Sequence, residues 1–365
     1  MIDSSEISVV VQGPVRPDTA ESLSSVRRVL PRAEIIFSTW EDEKADGLPF
    51  DKIVRSRMPP AYAQHIRTGI LNNLNRLIRS TKAGVAKAER PYLLKIRSDL
   101  VLTDDRFLHA FEDFPAEGPR KVFSRRVVVP LIYSRTGYRG FCTPFHLSDW
   151  AAFGLSEDLR PFYLNMQEVD DPAFTQYFLG REKETPYGPT LLRMAPEQYQ
   201  AFSAFQRHFH DADMPDCSVV TEKLSCASDE YIVSNFIIAP YAETGWMVRK
   251  YPQSIDEFKE GAPYFELWTK FVYESKYRRL CDPSYELTAF ADQRRFRRRD
   301  AYEGYFRLRK HCEHLLHADR FSKRLEQVFV IPIMTLMAAG KALLGLKHTD
   351  SAANAERFKP FGQFQ

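Results

Sequence analysis

The stretch YLLKIRSDL, residues 92–100, decides how the chain is read. Its apolar run, broken only by Lys95, is that of a strand buried in a sheet. It then sets Arg97, Ser98 and Asp99 side by side, and an acidic turn at Asp104 and Asp105 follows. Parallel sheets bind their ligands at the carboxyl ends of their strands. A strand that ends in a guanidinium, a hydroxyl and a carboxylate therefore marks a candidate site.

The neighbouring segments supply the rest of such a sheet. EISVVVQGPV (6–15) is a β-branched run stopped by Gly13-Pro14, and AEIIFSTWE (33–41) is a second buried strand ending in polar residues. Between them Asp18 and Thr19 signal a helix start, with Leu23, Val26 and Leu30 at helical spacing. Residues 66–88 carry Ile66, Ile70, Leu74, Leu77 and Ile78 on one helical face. This alternation predicts an α/β fold, a doubly wound, mostly parallel sheet flanked by helices. Gln12, Thr39 to Glu41, and Arg97 to Asp99 are expected to meet at one crevice. Further on, KVFSRRVVVP (121–130) reads as a strand, and Ser148-Asp149 are placed to begin a short helix in FHLSDWAAFGL (145–155). APEQYQAFSAFQRHF (195–209) reads as a helix, and SDEYIVSNFIIAP (228–240) closes the core. The division expected is a nucleotide-binding domain over 1–245, a helical basic and aromatic region over 246–324, an apolar helix over 325–347 and a loose tail over 348–365.

Hydrophobic residues at 44% and charged residues at 27% are those of a globular chain, and a net charge of +3 gives no global argument for nucleic acid. Five cysteines without a CxxC spacing suggest reduced thiols, and Cys217 and Cys226 lack the partners of a zinc site. The first residues show neither a basic region nor a long apolar core, so a cytoplasmic protein is expected. No P-loop, GxGxxG turn or GxSxG elbow is present.

The strand-end residues carry definite chemistry. Asp99 is placed to hold Mg²⁺ or Mn²⁺ against a diphosphate, since phosphates and water complete the shell of such an ion. Arg97 beside it suits bidentate contact with phosphate oxygens; the alternative is an Arg–Asp pair that only closes a strand. Gln12-Gly13 permits close approach of backbone to a ligand, or is an ordinary turn. Trp40 stacks on a base or caps the core. Asn72, Asn75, Arg76 and Arg79 form a polar stripe, either ligand-binding or solvated. For proton transfer the candidates are Asp149, which also reads as a helix cap, and Glu197, which also reads as a first-turn acid. Asp229 and Glu230 rank after them. HFHDADMPD, with His208, His210 and Asp211, reads as a surface loop.

VVVQGPV, LPRAEIIFSTWE, NNLNRLIRST, YLLKIRSDL, PFHLSDWAAFGL and APEQY together resemble the WavE lipopolysaccharide-synthesis family over residues 7–240. The resemblance implies a GT-A-like glycosyltransferase of lipopolysaccharide core or a related surface glycan. It implies a nucleotide-sugar donor over Gln12, Thr39, Trp40, Arg76 and Arg97, with Asp99 near the diphosphate. GT-A enzymes usually carry Asp-x-Asp where this chain has Arg97-Ser98-Asp99, which leaves two ways to neutralise the diphosphate. A Mn²⁺ or Mg²⁺ ion is held by Asp99, with help from Asp104 or Asp105, or Arg97 replaces it.

VFVIPIMTLMAAGKALLGL (328–346) approaches spanning length but contains Pro332 and Lys341. With the basic, aromatic segment before it, it suggests peripheral attachment to the cytoplasmic face of the inner membrane, fitting a lipid-linked acceptor. A buried helix or a dimer contact is the plainer alternative. Two rivals to glycosyl transfer remain at this level: a phospho- or nucleotidyl-transferase using the same carboxylate, and a non-catalytic, membrane-docked assembly factor.

Overall fold

The structure, a computed structural model, describes residues 2–65, 69–138, 141–181, 190–248 and 265–288. In chain order the strands are β1 (Ile7–Gln12), β2 (Glu34–Trp40), β3 (Lys52–Ser56), β4 (Tyr62–Ala63), β5 (Leu71–Asn72), β6 (Tyr92–Arg97), β7 (Leu100–Leu102), β8 (Val127–Pro130), β9 (Arg135–Tyr138), β10 (Phe141–Cys142), β11 (Ala151–Leu155), β12 (Phe236–Ala239), β13 (Trp246–Val248) and β14 (Phe265–Leu267). The helices are α1 (Thr19–Val29), α2 (Leu74–Val85), α3 (Phe107–Ala110), α4 (Ser156–Leu164), α5 (Pro172–Thr175), α6 (Pro196–Gln206), α7 (Glu222–Asn235), α8 (Tyr241–Thr244) and α9 (Lys270–Leu280).

Among the described residues a seven-stranded sheet runs in the order β12-β8-β11-β6-β1-β2-β3. β3, β2, β1 and β6 are parallel to one another, and β12 is parallel to β8. β11 alone is reversed, pairing antiparallel with both β6 and β8. The expected mostly parallel α/β sheet is thus present. All six residues of β1 and all seven of β2 are buried, as β-branched runs covered on both faces must be. α2 packs on β1, β2 and β3 and against α4, while α1 lies along β2 and β7.

Two expectations about elements are corrected. The helix drawn over 66–88 begins only at Leu74. Gly69 turns the chain at φ +63°, and Leu71–Asn72 then pairs with Tyr62–Ala63 in a short hairpin that leaves Ile70 half exposed. The Asn72 carboxamide accepts a hydrogen bond from the Leu74 amide (2.8 Å), so a polar side chain starts the helix where the periodic pattern ran on. Residues 66–68 lie outside the described chain. The second correction is larger: Ser148-Asp149 begin no helix, and the residues after them form the reversed strand β11. Ala151, Ala152, Phe153 and Gly154 are buried on both faces between β6 and β8, a role a short apolar run fills as readily as a helix.

The expected strand over 121–130 is confined to Val127–Pro130, and the helix at 195–209 is α6. Residues 265–288 pack onto the core: Trp268 and Tyr273 are buried, and the Tyr273 hydroxyl donates to the Phe236 carbonyl (2.6 Å). The apolar stretch 325–347, the tail 348–365 and most of the basic region lie outside the described residues. Among the described residues no helix is long and apolar enough to cross a membrane.

Candidate active site

The reversal of β11 builds the site. β6 delivers Arg97, Ser98 and Asp99 at its carboxyl end, and β11 enters the sheet at that same edge, so Asp149 and Trp150 stand beside them. Main-chain bonding fixes the junction, with the Arg97 amide donating to the Trp150 carbonyl (3.2 Å). The Arg97 guanidinium lies 4.7 Å from the centre of the Trp150 ring, and the ring of Tyr133 packs at 4.9 Å on that tryptophan. This stack holds the arginine at one orientation.

Arg97 also grips Asp99 through two hydrogen bonds, Nε to Oδ1 (2.9 Å) and Nη2 to Oδ2 (2.7 Å), with Arg16 Nη1 at 3.9 Å. Burial of Asp99 pushes its carboxyl up, but the Arg97 charge and hydrogen bonds, with Arg16, outweigh this and hold it below the usual range. Gln12 and Gly13 complete this edge. The Ser98 amide donates to the Gln12 carbonyl (2.9 Å), and the Ser98 hydroxyl donates to the Pro14 carbonyl (2.7 Å). Gly13 sits at φ +128°, and a β-carbon there would meet Ser98 Oγ at 2.9 Å, so the close approach of the two strand ends requires glycine.

Asp149 and Glu197 come together from distant parts of the sequence. Glu197 sits in the first turn of α6, behind Pro196. Burial, and next the charge of Asp149, push its carboxyl up to about 7, while Arg135 and Arg97 pull the other way. Glu197 also lines a cavity of about 270 Å³ with Gln64, His65, Tyr133, Arg135 and His146. His146 is fully buried, and burial and Arg135 hold it neutral. Its Nδ1 lies 3.1 Å from the Tyr133 carbonyl, which can only accept, so Nδ1 carries the proton and Nε2 is an acceptor. Arg135 is held from behind by α9's approach: Trp268 Nε1 donates to its carbonyl (3.1 Å).

Other candidate residues have structural work. Asn75 exchanges two hydrogen bonds with the main chain of Val169 (2.9 and 2.8 Å), pinning the segment after α4. Arg76 donates to the Pro59 carbonyl (3.1 Å), and Arg79 forks onto Glu168 (2.7 and 2.6 Å). Trp40 is 3% exposed and Thr39 is fully buried, so neither ring nor hydroxyl presents a surface to a base in this structure. The Gln12 carboxamide accepts from the Ser80 hydroxyl (2.7 Å), tying β1 to α2. Asp229 pairs with Lys276 and Arg279, and Glu230 and Asp211 share Arg120.

The donor set does not fit a resident divalent cation. Both Asp99 oxygens are engaged by Arg97, so an ion there would have to displace a paired guanidinium. Asp104 is closed on Arg106 (2.7 and 2.6 Å) and lends no ligand to Asp99. Among the described residues no cluster of three or more His, Cys, Asp or Glu is arranged to hold an ion.

Arg16, Lys95, Arg135 and His146 are the residues that sequence reasoning missed. Lys95 had a signal, as the one charge in an apolar strand; Arg135 and His146 had none, because only the fold brings their loop to Glu197. Chemically the edge offers guanidinium groups for a phosphate-bearing leaving group and, within reach of a small cavity, a carboxyl that titrates near neutrality.

A family model described as WavE lipopolysaccharide synthesis matches residues 7–301. The chain belongs to the WavE family. No curated protein matches it closely enough to add to this. The WavE match spans all the described elements, from β1 through α9, and so contains the whole candidate site.

Proposed function

We propose that this WavE-family protein is a glycosyltransferase that moves a sugar from a nucleotide-sugar donor to an acceptor in lipopolysaccharide synthesis. The observation that carries this reading is the Asp149–Glu197 pair at the strand-end crevice, where Glu197 is poised near pH 7 on the wall of a sugar-sized cavity. The family's part in lipopolysaccharide synthesis supports it.

In this reading the acceptor hydroxyl lies in the cavity and gives its proton to Glu197. Its oxygen bonds the anomeric carbon as the bond from that carbon to the diphosphate oxygen breaks, and the electron pair leaves with the nucleoside diphosphate. Arg97, fixed by Trp150 and Asp99, and Arg16 at the rim neutralise the departing charge in place of a Mn²⁺ or Mg²⁺ ion. Asp149 keeps Glu197 basic. A GT-A type of fold, a lipid-linked acceptor and attachment of residues 325–347 to the cytoplasmic face of the inner membrane belong to the same proposal; sedimentation with anionic vesicles, with and without those residues, tests the last.

The central experiment is a thermal-shift screen of UDP-, GDP-, ADP-, CMP- and dTDP-sugars with and without chelator, followed by transfer or hydrolysis assays. One donor should stabilise the protein whether or not chelator is present, and Arg97→Lys should weaken that binding because it loses both the fork and the stack. Glu197→Gln should lower turnover about 10²–10⁴-fold without loss of donor binding. If no nucleotide sugar binds, the assembly-factor reading takes its place.

A further inference from the structure

A lysine on a central strand needs a reason. Lys95 is 1% exposed in β6, between Leu94 and Ile96, and an apolar residue there would avoid the cost of desolvating an ammonium. Its side chain lies on the sheet face that carries α2 and α4, and its Nζ donates to the Asp149 carbonyl. Arg97 and Asp99 on its own strand end and Asp149 at the entry to β11 are the charges that act on it. Tyr163 of α4 and Glu197 of α6 stand around Asp149 in turn. The cations of α2 are engaged elsewhere, Arg76 on the Pro59 carbonyl (3.1 Å), Arg79 on Glu168 and Lys82 on the Met166 carbonyl (2.7 Å).

We propose that Lys95 is a positioning residue, the internal positive charge that offsets the charge of Asp149 and so sets the protonation of Glu197. The inference rests on the proposed role of that pair. Geometry carries it: the ammonium is fixed on the main-chain carbonyl of Asp149, next to that residue's side chain, and the sheet denies it water. Burial pushes Lys95 down to about 8, with Asp149 holding it partly up, so the counter-charge itself is lost as pH rises past that value. With the ammonium gone, the negative charge of Asp149 stands unopposed and the pair holds its proton to higher pH.

Three substitutions separate charge from shape. In donor-saturated pH profiles Lys95→Met and Lys95→Gln should both move the acid limb of activity upward, by half a pH unit or more, while Lys95→Arg keeps it in place. A wild-type limb in Lys95→Gln, or equal shifts in the Arg and Gln variants, overturns the proposal, since a merely structural lysine would change amount and stability but not the limb. A second measurement leaves Lys95 in place. In protein labelled with ¹³C at lysine Cε, one signal should titrate near pH 8, and Asp149→Asn should lower its midpoint, because coupling between two charges is reciprocal. An unmoved midpoint sinks the inference. If the midpoint moves but no nucleotide sugar supports transfer, the coupling of Lys95 to Asp149 stands and the transferase reading falls instead.

Discussion

Glu197 is a first-turn acid, and its sequence context alone would make it a helix-dipole contact. The fold changes its meaning by enclosing it and setting Asp149 near it. A carboxyl raised from its ordinary 4.5 to about 7 holds in the folded state a proton that the unfolded chain has already released. The protein should therefore lose stability as pH rises from about 4.5 to about 7, and change little from this group beyond either end. Glu197→Gln should remove that slope. The variant should gain about 1–3 kcal/mol on the wild type between pH 5 and pH 8, measured by urea unfolding at both values; equal slopes would show that Glu197 ionises freely. The sequence alone could name Asp149 and Glu197 as candidates because acids near predicted turns are visible. That they act on one another was not legible, since 48 positions and the elements β11, α4 and α5 separate them.

At the scale of elements, α2 must lie close on the sheet for Ser80 to reach Gln12, and Gly84 is what lets it. A β-carbon at Gly84 would meet Val10 Cγ1 at 2.5 Å and Ser38 Cβ at 2.9 Å. In an exposed helix Gly→Ala stabilises by about 1 kcal/mol. Here Gly84→Ala should instead destabilise by about 1–3 kcal/mol and weaken donor binding as β1 shifts, read from a denaturation curve and a titration on one preparation. The parallel core strands were readable because burial on both faces demands uninterrupted apolar runs. β11 was not, because AAFGL is too short to show a period and the preceding Ser-Asp mimics a cap. The same ambiguity hid the hairpin at Leu71, where an apolar sequence at helical spacing turns at Gly69 instead.

For the whole molecule, the described chain after residue 264 braces the site from the far side. Trp268 donates through its amide to Ser134 (3.0 Å) and through its indole to Arg135 (3.1 Å), and Arg126 meets the ring of Tyr277 at 5.0 Å. Trp268→Ala should cost about 3–5 kcal/mol. If the brace matters to Arg135, the variant should also raise the apparent KM for the acceptor while donor binding persists. An unchanged KM at the lowered melting temperature would confine Trp268 to stability. Composition revealed an aromatic, basic C-terminal region, but not that its first part packs behind Arg135, because that contact joins Trp268 to a residue 133 positions earlier.

One reversed strand has a consequence for how such a protein diversifies. β8 leaves the sheet at Pro130 and β11 re-enters it at Ala151, both at the edge where Arg97 lies, so residues 131–150 form an excursion tethered twice at the reacting edge. Tyr133, Arg135, His146 and Trp150 are fixed by their contacts with Arg97 and the cavity, whereas its other partly exposed positions can change at little cost. In the proposed transferase, exchanging those other positions between family members should change acceptor preference, and donor binding should persist only while Trp150 and Tyr133 still hold Arg97.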